Sequence, residues 1–209
     1  MSSSRSVDAF VADPGEGTHI AVLYRDPGGR DEVLVPYLAG ARALDEGAMC
    51  ITDADPDSFA AAVTAAAGVP GSVEVLRTED CYLRGGAFSA PAMLGWLAEI
   101  GQAAPRGSDA QRLRIAGDLR WIEALDAKGF DELIQYETGL NSVAPGCRHT
   151  LACFYDLGLL DATQIVALLA AHPRIVVDGT LWDSPFYVPD GTDDERAAAL
   201  RACMRPASD

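Results

Sequence analysis

The chain has 209 residues, of which 49% are hydrophobic, and a formal net charge of −15. This length supports one sizeable domain with a full core, and so acidic a surface argues against direct binding of DNA or RNA. No apolar run approaches the roughly 20 residues that span a bilayer, and the N-terminus lacks an apolar signal sequence, so we expect a cytoplasmic protein with reduced cysteines.

Short apolar runs alternate with Ala- and Leu-rich segments along the chain, which is typical of βαβ units and a mostly parallel sheet. We therefore predict a three-layer α/β fold with helices on both faces of the sheet. The predicted strands lie near 19–24, 48–53, 73–77, 112–117, 149–155 and 174–178, with a short terminal pair around 180–188. The predicted helices lie near 30–46, 56–67, 89–103, 129–142 and 161–171. We expect a disordered leader over 1–17, the domain over 18–190, and a tail over 191–209 with room for a short helix.

The first predicted strand–helix unit has the layout of a phosphate-binding loop without its phosphate-binding residues. A working P-loop reads G-x-x-x-x-G-K-[ST], in which backbone amides and the Lys hold the phosphates and the hydroxyl binds Mg²⁺. Here the turn over residues 24–31 reads YRDPGGRD, which has no Lys, and Pro27 removes one amide donor. The sequence thus predicts a degenerate P-loop, and sensing or binding rather than ATP hydrolysis. Residual nucleotide binding through Arg25 and Arg30 stays open as an alternative.

The residues at the carboxyl ends of the strands mark the expected ligand site, because open α/β sheets bind ligands there. Several of these ends carry large aromatic side chains or acids, as small-molecule pockets do. Alternatively, the rings only cover the end of the core. The loop 78–88, with Gly85 and Gly86 as a hinge, is either a lid or a passive crossover. The candidate ligand-binding residues are Tyr24, Tyr82, Phe88, Asp118, Trp121, Tyr155 and Asp156.

Asp118 closes the apolar run RLRIAGD, where a working NTPase places the Asp that holds Mg²⁺. Without the other P-loop residues, we expect it to contact the ligand or to cap the helix that begins near Trp121. An enzyme of specialised metabolism is the alternative function, with Asp118, Glu137 or Asp156 as acid–base groups. No catalytic residue is assigned on this basis.

The three histidines and five cysteines define neither a catalytic triad nor a complete metal site. His149 and Cys153 share one face of a predicted strand and lie near Cys147, but a zinc site needs further ligands. Buried free thiols are the simpler interpretation, and His19 and His172 are expected to be structural. We therefore expect no metal and no cofactor, and leave open whether Cys147, His149 and Cys153 bind a metal.

Several segments, taken in order, resemble the MEDS family, a sensory domain named for methanogens, methylotrophs and DcmR-type regulators. They are His19 with Tyr24, GARALDEGAMCITDAD, Cys81-Tyr82-Leu83 with Phe88, RIAGDLRWI, YETGLN, CFYD, AHP and SPFY. The resemblance covers roughly residues 18–190 and implies a RecA/KaiC-like core that lacks the Walker A residues. The sequence departs from the family at Asp118, where relatives often have Glu.

Members of that family are believed to sense hydrocarbon derivatives or other small molecules, commonly while fused to DNA-binding, kinase or anti-sigma modules. The resemblance implies a sensor of an apolar or weakly polar ligand. Because this sequence shows no output module, we expect it to act through a protein partner such as a regulator or kinase. We expect no nucleic acid and no membrane as partner, and the Ala-rich helix predicted over 56–67 leaves a homodimer open.

Overall fold

The computed structural model describes residues 5–68, 73–102, 112–147 and 149–187, which are organised around one eight-stranded sheet. The strands are β1 (Arg5–Ser6), β2 (His19–Tyr24), β3 (Gly47–Thr52), β4 (Glu74–Arg77), β5 (Leu113–Asp118), β6 (Thr150–Asp156), β7 (Arg174–Val177) and β8 (Thr180–Asp183). Their order across the sheet is β1-β8-β7-β2-β6-β5-β3-β4. The strands from β7 to β4 are parallel, and β8 is antiparallel to both of its neighbours. The predicted mostly parallel sheet is confirmed.

Helices cover both faces of the sheet, as the sequence predicts. They are α1 (Val7–Ala12), α2 (Pro27–Ala39), α3 (Pro56–Ala67), α4 (Ala90–Gln102), α5 (Ala127–Cys147) and α6 (Ala162–Ala171). Helices α1 to α3 pack on one face, which we call the α2 face, and α4 to α6 pack on the other, the α5 face. Because side chains alternate along a strand, Ile20 and Val22 of β2 enter the core of the α2 face, while Ala21 and Leu23 enter that of the α5 face.

Acidic side chains set the start of four helices. Asp26, Asp55, Asp126 and Asp161 each accept a hydrogen bond from the backbone N–H three residues on, and so satisfy an otherwise unpaired amide of the first turn. The Asp26 cap places the start of α2 at Pro27 rather than near residue 30, because proline suits the first helical position. Helix α5 extends beyond the predicted 129–142 at both ends.

The segment before β2 is not a disordered leader over the part that the structure describes. The Phe10 side chain is 2% exposed and its ring stacks on Tyr37, with ring centroids 5.3 Å apart. The guanidinium of the buried Arg114 donates to the backbone carbonyls of Val11 and Ala12 at 2.5 and 3.1 Å. The expectation of disorder over 1–17 is therefore wrong for residues 5–17, because α1 contributes an aromatic ring to the core of the α2 face.

The predicted terminal pair around 180–188 contains one strand within the described residues. This strand, β8, pairs with β7 through a tight turn in which Asp178 and Gly179 have positive φ angles of 46° and 69°. The expected tail over 191–209 lies outside the described residues. Among the helices that the structure describes, none is both long and apolar enough to cross a membrane.

Candidate functional site

Four aromatic side chains pack together on the α5 face, and we call them the aromatic cluster. The Trp121 ring lies 5.2 Å from that of Tyr82 and 4.9 Å from that of Phe88, centroid to centroid. Tyr136 of α5 meets Tyr82 and Phe88 edge-on at 6.2 and 5.7 Å. Glycine is needed at position 117 of β5, because a Cβ there would overlap the Tyr82 hydroxyl. The structure thus brings together three predicted site residues and adds Tyr136, which the sequence analysis noted only within the YETGLN segment.

A cavity of about 120 Å³ lies beside this cluster, between α4 and the loop that follows β4. We call it the α4 pocket. Its apolar wall includes Tyr82 and Met93, both 3% exposed, together with Trp96. Asp80, Cys81, Arg84 and Ser89 add polar groups to the lining. Because Tyr82 belongs to both the pocket wall and the aromatic cluster, a molecule in the pocket would contact the core directly.

The structure divides the other predicted rim residues between the two faces of the sheet. Tyr24 belongs to the core of the α2 face, whereas Tyr82, Trp121 and Tyr155 belong to that of the α5 face. The four rings, all predicted as candidate ligand-binding residues, therefore do not form one wall of a pocket. The reason is that alternate residues at the end of β2 point to opposite faces, and Tyr24 points away from α5.

Asp156 lies at the end of β6 and has interactions within the protein. Its side chain accepts a hydrogen bond from the Gly158 N–H at 2.9 Å, and it is 3.5 Å from the Arg120 guanidinium. The carboxylate thus closes the turn after β6.

Asp118 is 1% exposed and both of its carboxylate oxygens have protein partners. One oxygen accepts from the Tyr24 hydroxyl at 3.1 Å, and the other accepts from the Arg30 guanidinium at 2.7 Å and the Thr52 hydroxyl at 3.1 Å. Burial raises the pKa of Asp118, although these three partners oppose the rise. The expected cap on the following helix is wrong, because the helical turn at 120–124 has no side-chain cap.

The N-terminus of α2, where a P-loop would hold phosphate, is occupied by the protein's own carboxylate. The Asp26 side chain accepts from the Gly29 N–H at 3.0 Å. Arg30 is paired with Asp118 and, at 2.8 Å, with Asp31, while Arg25 lies 3.4 Å from Asp178. Both arginines of the nucleotide-binding alternative are therefore already paired with acids.

A second group of ionisable side chains lies buried on the α5 face, and we call it the His–Glu–Cys cluster. It consists of His19 from β2, Glu137 from α5, Cys153 from β6 and His172 at the end of α6, none more than 4% exposed. One oxygen of Glu137 lies 3.0 Å from His19 Nε2 and 3.2 Å from His172 Nε2. Cys153 Sγ lies 3.6 Å from His19 Nε2. Four separate elements thus deliver four potential metal ligands to one point.

The outer nitrogens of the two histidines are held by neighbouring polar groups. His19 Nδ1 lies 3.0 Å from the side-chain oxygen of Asn141, whose NH₂ group donates to the Ala171 carbonyl at 2.7 Å. His172 Nδ1 lies 2.8 Å from the Leu168 carbonyl oxygen. Because both partners are acceptors, this network assigns the proton of each ring to Nδ1. The Nε2 lone pairs of both rings therefore face the Glu137 carboxylate.

The electrostatics of the cluster follow from its burial. Burial lowers the pKa of His19, as does the neighbouring His172, while Glu137 acts in the opposite direction. Burial alone would raise the pKa of Glu137, but hydrogen bonds from His172 and His19 would hold it below its usual range when their Nε2 atoms carry protons. Burial, reinforced by Glu137, raises the pKa of the Cys153 thiol well above its usual value.

Sequence reasoning missed this cluster because it treated the histidines separately. Cys153 meets His19 and not His149, whose Nδ1 accepts from the Leu113 N–H at 3.1 Å. The Cys147 side chain lies outside the described residues. His19 and Cys153 do occupy positions of the same face on adjacent strands, but their proximity requires β2 and β6 to pair, with His19 opposite Leu151. The sequence of neither strand alone shows that β2 and β6 are neighbours.

Asp118 and Glu137, two of the three acid–base candidates of the enzyme alternative, do not converge. Asp118 contacts Tyr24, Arg30 and Thr52 on the α2 face, whereas Glu137 lies on the α5 face, on the other side of the sheet. A reaction that needs both carboxylates at one substrate is therefore not supported by their geometry.

The fold is similar to that of solved proteins. A KaiC-like protein, PH0186, from Pyrococcus horikoshii OT3 aligns with a TM-score of 0.51 and 16% sequence identity over 77% of this chain and 71% of that chain. The flagellar accessory protein FlaH from Methanocaldococcus jannaschii aligns with a TM-score of 0.47 and 9% identity over 80% and 76%. The alignment with the KaiC-like protein supports a RecA/KaiC-like α/β fold, as the sequence predicts.

The family follows from a second comparison. Residues 18–173 match the model of the MEDS family, the methanogen/methylotroph, DcmR sensory domain. This match covers most of the chain, so the chain belongs to the MEDS family of sensory domains. Comparison with curated proteins gives no match.

Proposed function

We propose that the protein is a sensor that binds a small apolar or weakly polar molecule in the α4 pocket and reports the binding to a protein partner. The observation that carries this proposal is the position of Tyr82, which lines the pocket and also packs within the aromatic cluster. Membership of a sensory family supports it independently. A ligand at this position would contact both a surface loop and the core.

The size of the cavity sets the class of ligand. At about 120 Å³ it is slightly smaller than an apolar cavity of about 150 Å³ that holds benzene. A ligand of roughly six heavy atoms or fewer fits this space. Tyr82, Met93 and Trp96 suit its alkyl or halogenated part, while Asp80 and Arg84 suit a single polar group.

The loop that closes the pocket provides a route for the signal. Gly85 and Gly86 have φ angles of 87° and 91°, which only glycine adopts easily, and they lie between Tyr82 and Phe88 of the aromatic cluster. A ligand that prefers one position of the Tyr82 ring would shift the loop toward that state. The partner, a regulator or kinase, would recognise the loop, of which Arg84 and Ala87 are exposed.

The signal is proposed to need no ATP hydrolysis. The Asp26 carboxylate occupies the helix N-terminus that a P-loop offers to phosphate, and Asp118 is paired with Arg30. A nucleotide would have to displace the first carboxylate and break the second interaction.

The test is a thermal-shift screen of one- to five-carbon alcohols, ketones and halogenated alkanes, with calorimetry on any compound that raises the melting temperature. Ala92 lines the pocket on the exposed side of α4, so Ala92→Phe should fill the space and reduce the affinity of an active compound at least tenfold. Ala61→Phe, at an exposed position of α3 on the other face, is the matched control and should bind normally. Equal binding by wild type and Ala92→Phe would refute this location for the site.

A further inference from the structure

We propose that His19, Glu137, Cys153 and His172 form a binding site for a divalent transition metal ion, with Zn²⁺ the best match. The ligand atoms of these four side chains all lie within 4.8 Å of one another. This inference does not depend on the proposed small-molecule site.

The first argument is that the cluster needs a cation at its centre. The hydrogen bonds to Asn141 and Leu168 leave the Nε2 lone pairs of His19 and His172 facing the oxygen of Glu137 at 3.0 and 3.2 Å. Lone pairs facing a carboxylate at these separations repel each other unless a positive ion lies between them. A proton or a metal ion can fill this role, and the Cys153 sulfur, 3.6 Å from His19 Nε2, adds a ligand that suits a metal ion.

The second argument is the spacing of the ligand atoms. In a tetrahedral zinc site, bonds of about 2.0–2.1 Å to nitrogen or oxygen and about 2.3 Å to sulfur separate a nitrogen from a sulfur by about 3.6 Å and a nitrogen from an oxygen by about 3.3–3.4 Å. Cys153 Sγ lies 3.6 Å from His19 Nε2, and the two imidazole nitrogens lie 3.0 and 3.2 Å from Glu137. These three separations differ from those of a tetrahedral site by no more than a few tenths of an ångström, and all the ligand atoms lie within 4.8 Å of one another.

The third argument is charge balance. Two neutral imidazoles, one carboxylate and one thiolate carry a total charge of −2, which a divalent ion neutralises inside an otherwise apolar core. The thiolate and imidazoles favour Zn²⁺, Co²⁺ or Cu over Mg²⁺ and Ca²⁺, which prefer oxygen ligands. Metal binding would convert the Cys153 thiol to a thiolate and release its proton.

The fourth argument is the presence of orphaned polar atoms and of an outer shell. Glu137 Oε1, His172 Nε2 and the Tyr155 hydroxyl are fully buried and make no acceptable hydrogen bond among the described residues. A metal ion would take up His172 Nε2 as a ligand, together with the Glu137 oxygen that faces both rings. Asn141 and the Leu168 carbonyl already fix the ring orientations, as outer-shell groups do in known metal sites.

The direct test is a titration of the full-length protein, stripped of metal and unfolded then refolded, with Co²⁺ as a spectroscopic substitute for Zn²⁺. We expect one equivalent to bind, with d–d absorption of a tetrahedral ion and a thiolate-to-Co²⁺ charge-transfer band. Cys153→Ser should abolish the charge-transfer band and weaken binding at least about 100-fold. Cys50→Ser is the matched control, because Cys50 is equally buried but on the α2 face, and it should retain both. Asn141→Ala should weaken binding by about 10–100-fold.

A measurement on the wild-type protein covers the case in which a variant does not fold. X-ray absorption at the zinc edge of Zn²⁺-loaded protein should show one sulfur at about 2.3 Å and three nitrogen or oxygen atoms at about 2.0–2.1 Å. A first shell without sulfur, or with more than one, would overturn the proposal. So would the absence of stoichiometric binding, which would identify the central cation as a proton, or a charge-transfer band that persists in Cys153→Ser.

Discussion

Two buried carboxylates, Asp118 and Glu137, are stabilised by different partners. An isolated charge in a protein core is unfavourable by several kcal/mol, so each must be compensated. Asp118 is compensated by the Arg30 guanidinium and by hydroxyl groups. Glu137 lies 3.0 and 3.2 Å from the imidazoles of His19 and His172, and in our proposal a cation between them compensates its charge. We therefore assign Asp118 a structural role and Glu137 a role in the proposed metal site.

Removal of the Asp118 carboxylate should destabilise the fold strongly. Asp118→Ala leaves the Arg30 guanidinium, whose side chain is 13% exposed, without its main partner, and we expect a loss of about 3–5 kcal/mol in the free energy of unfolding. Urea denaturation measures this change. Arg25→Ala breaks the exposed pair with Asp178 and should leave stability almost unchanged. Equal stabilities of the two variants would contradict a structural role for Asp118.

Cys81 should react slowly with alkylating reagents, although its side chain is partly exposed and lines the α4 pocket. Burial raises the pKa of its thiol to about 11, so only about one molecule in a thousand carries the thiolate at pH 8. The rate of iodoacetamide modification, followed by peptide mass spectrometry, should rise about tenfold per pH unit from 8 to 10. A rate that levels off by pH 9 would show that burial does not raise the pKa of the Cys81 thiol to this extent.

Among the secondary-structure elements, α2 carries a protein carboxylate at the N-terminus where a P-loop would hold phosphate. Asp26 caps the helix, and Arg30, one turn along, pairs with Asp118 across the sheet end. We expect ATP, ADP and GTP at millimolar concentration with Mg²⁺ to leave the melting temperature unchanged, since both phosphate-binding groups are already engaged. A stabilisation that saturates with nucleotide concentration would contradict this interpretation of α2.

Helix α1 is short, yet it should contribute measurably to stability. Phe10→Ala removes a fully buried ring that stacks on Tyr37 and should lower the free energy of unfolding by about 3–5 kcal/mol. Chemical denaturation measures this free energy. Ala9→Ser, at an exposed position of the same helix, is the control. If both variants unfold at the same denaturant concentration, α1 is not part of the cooperative core.

At the scale of the whole molecule, alternation of strand and helix patterns was sufficient to predict the sheet and its two helical layers. The six parallel strands lie within one or two residues of their predicted bounds. The layout of the site was not predictable in the same way, because it depends on which strands are neighbours. Tyr24, predicted to line one site with Tyr82 and Trp121, belongs to the core of the opposite face. His19 and Cys153 meet only through the pairing of β2 with β6. Local periodicity does not encode such pairing.

The central claim, that a small molecule binds in the α4 pocket, is tested most directly by NMR of protein labelled at its methionine methyl groups. The probe is the compound with the largest thermal shift in the small-molecule panel. The Met93 methyl signal should move and saturate during the titration, together with the indole N–H of Trp96, and neither should move in Ala92→Phe. A compound that binds wild type and raises its melting temperature, yet leaves Met93 and Trp96 unchanged, would contradict the account.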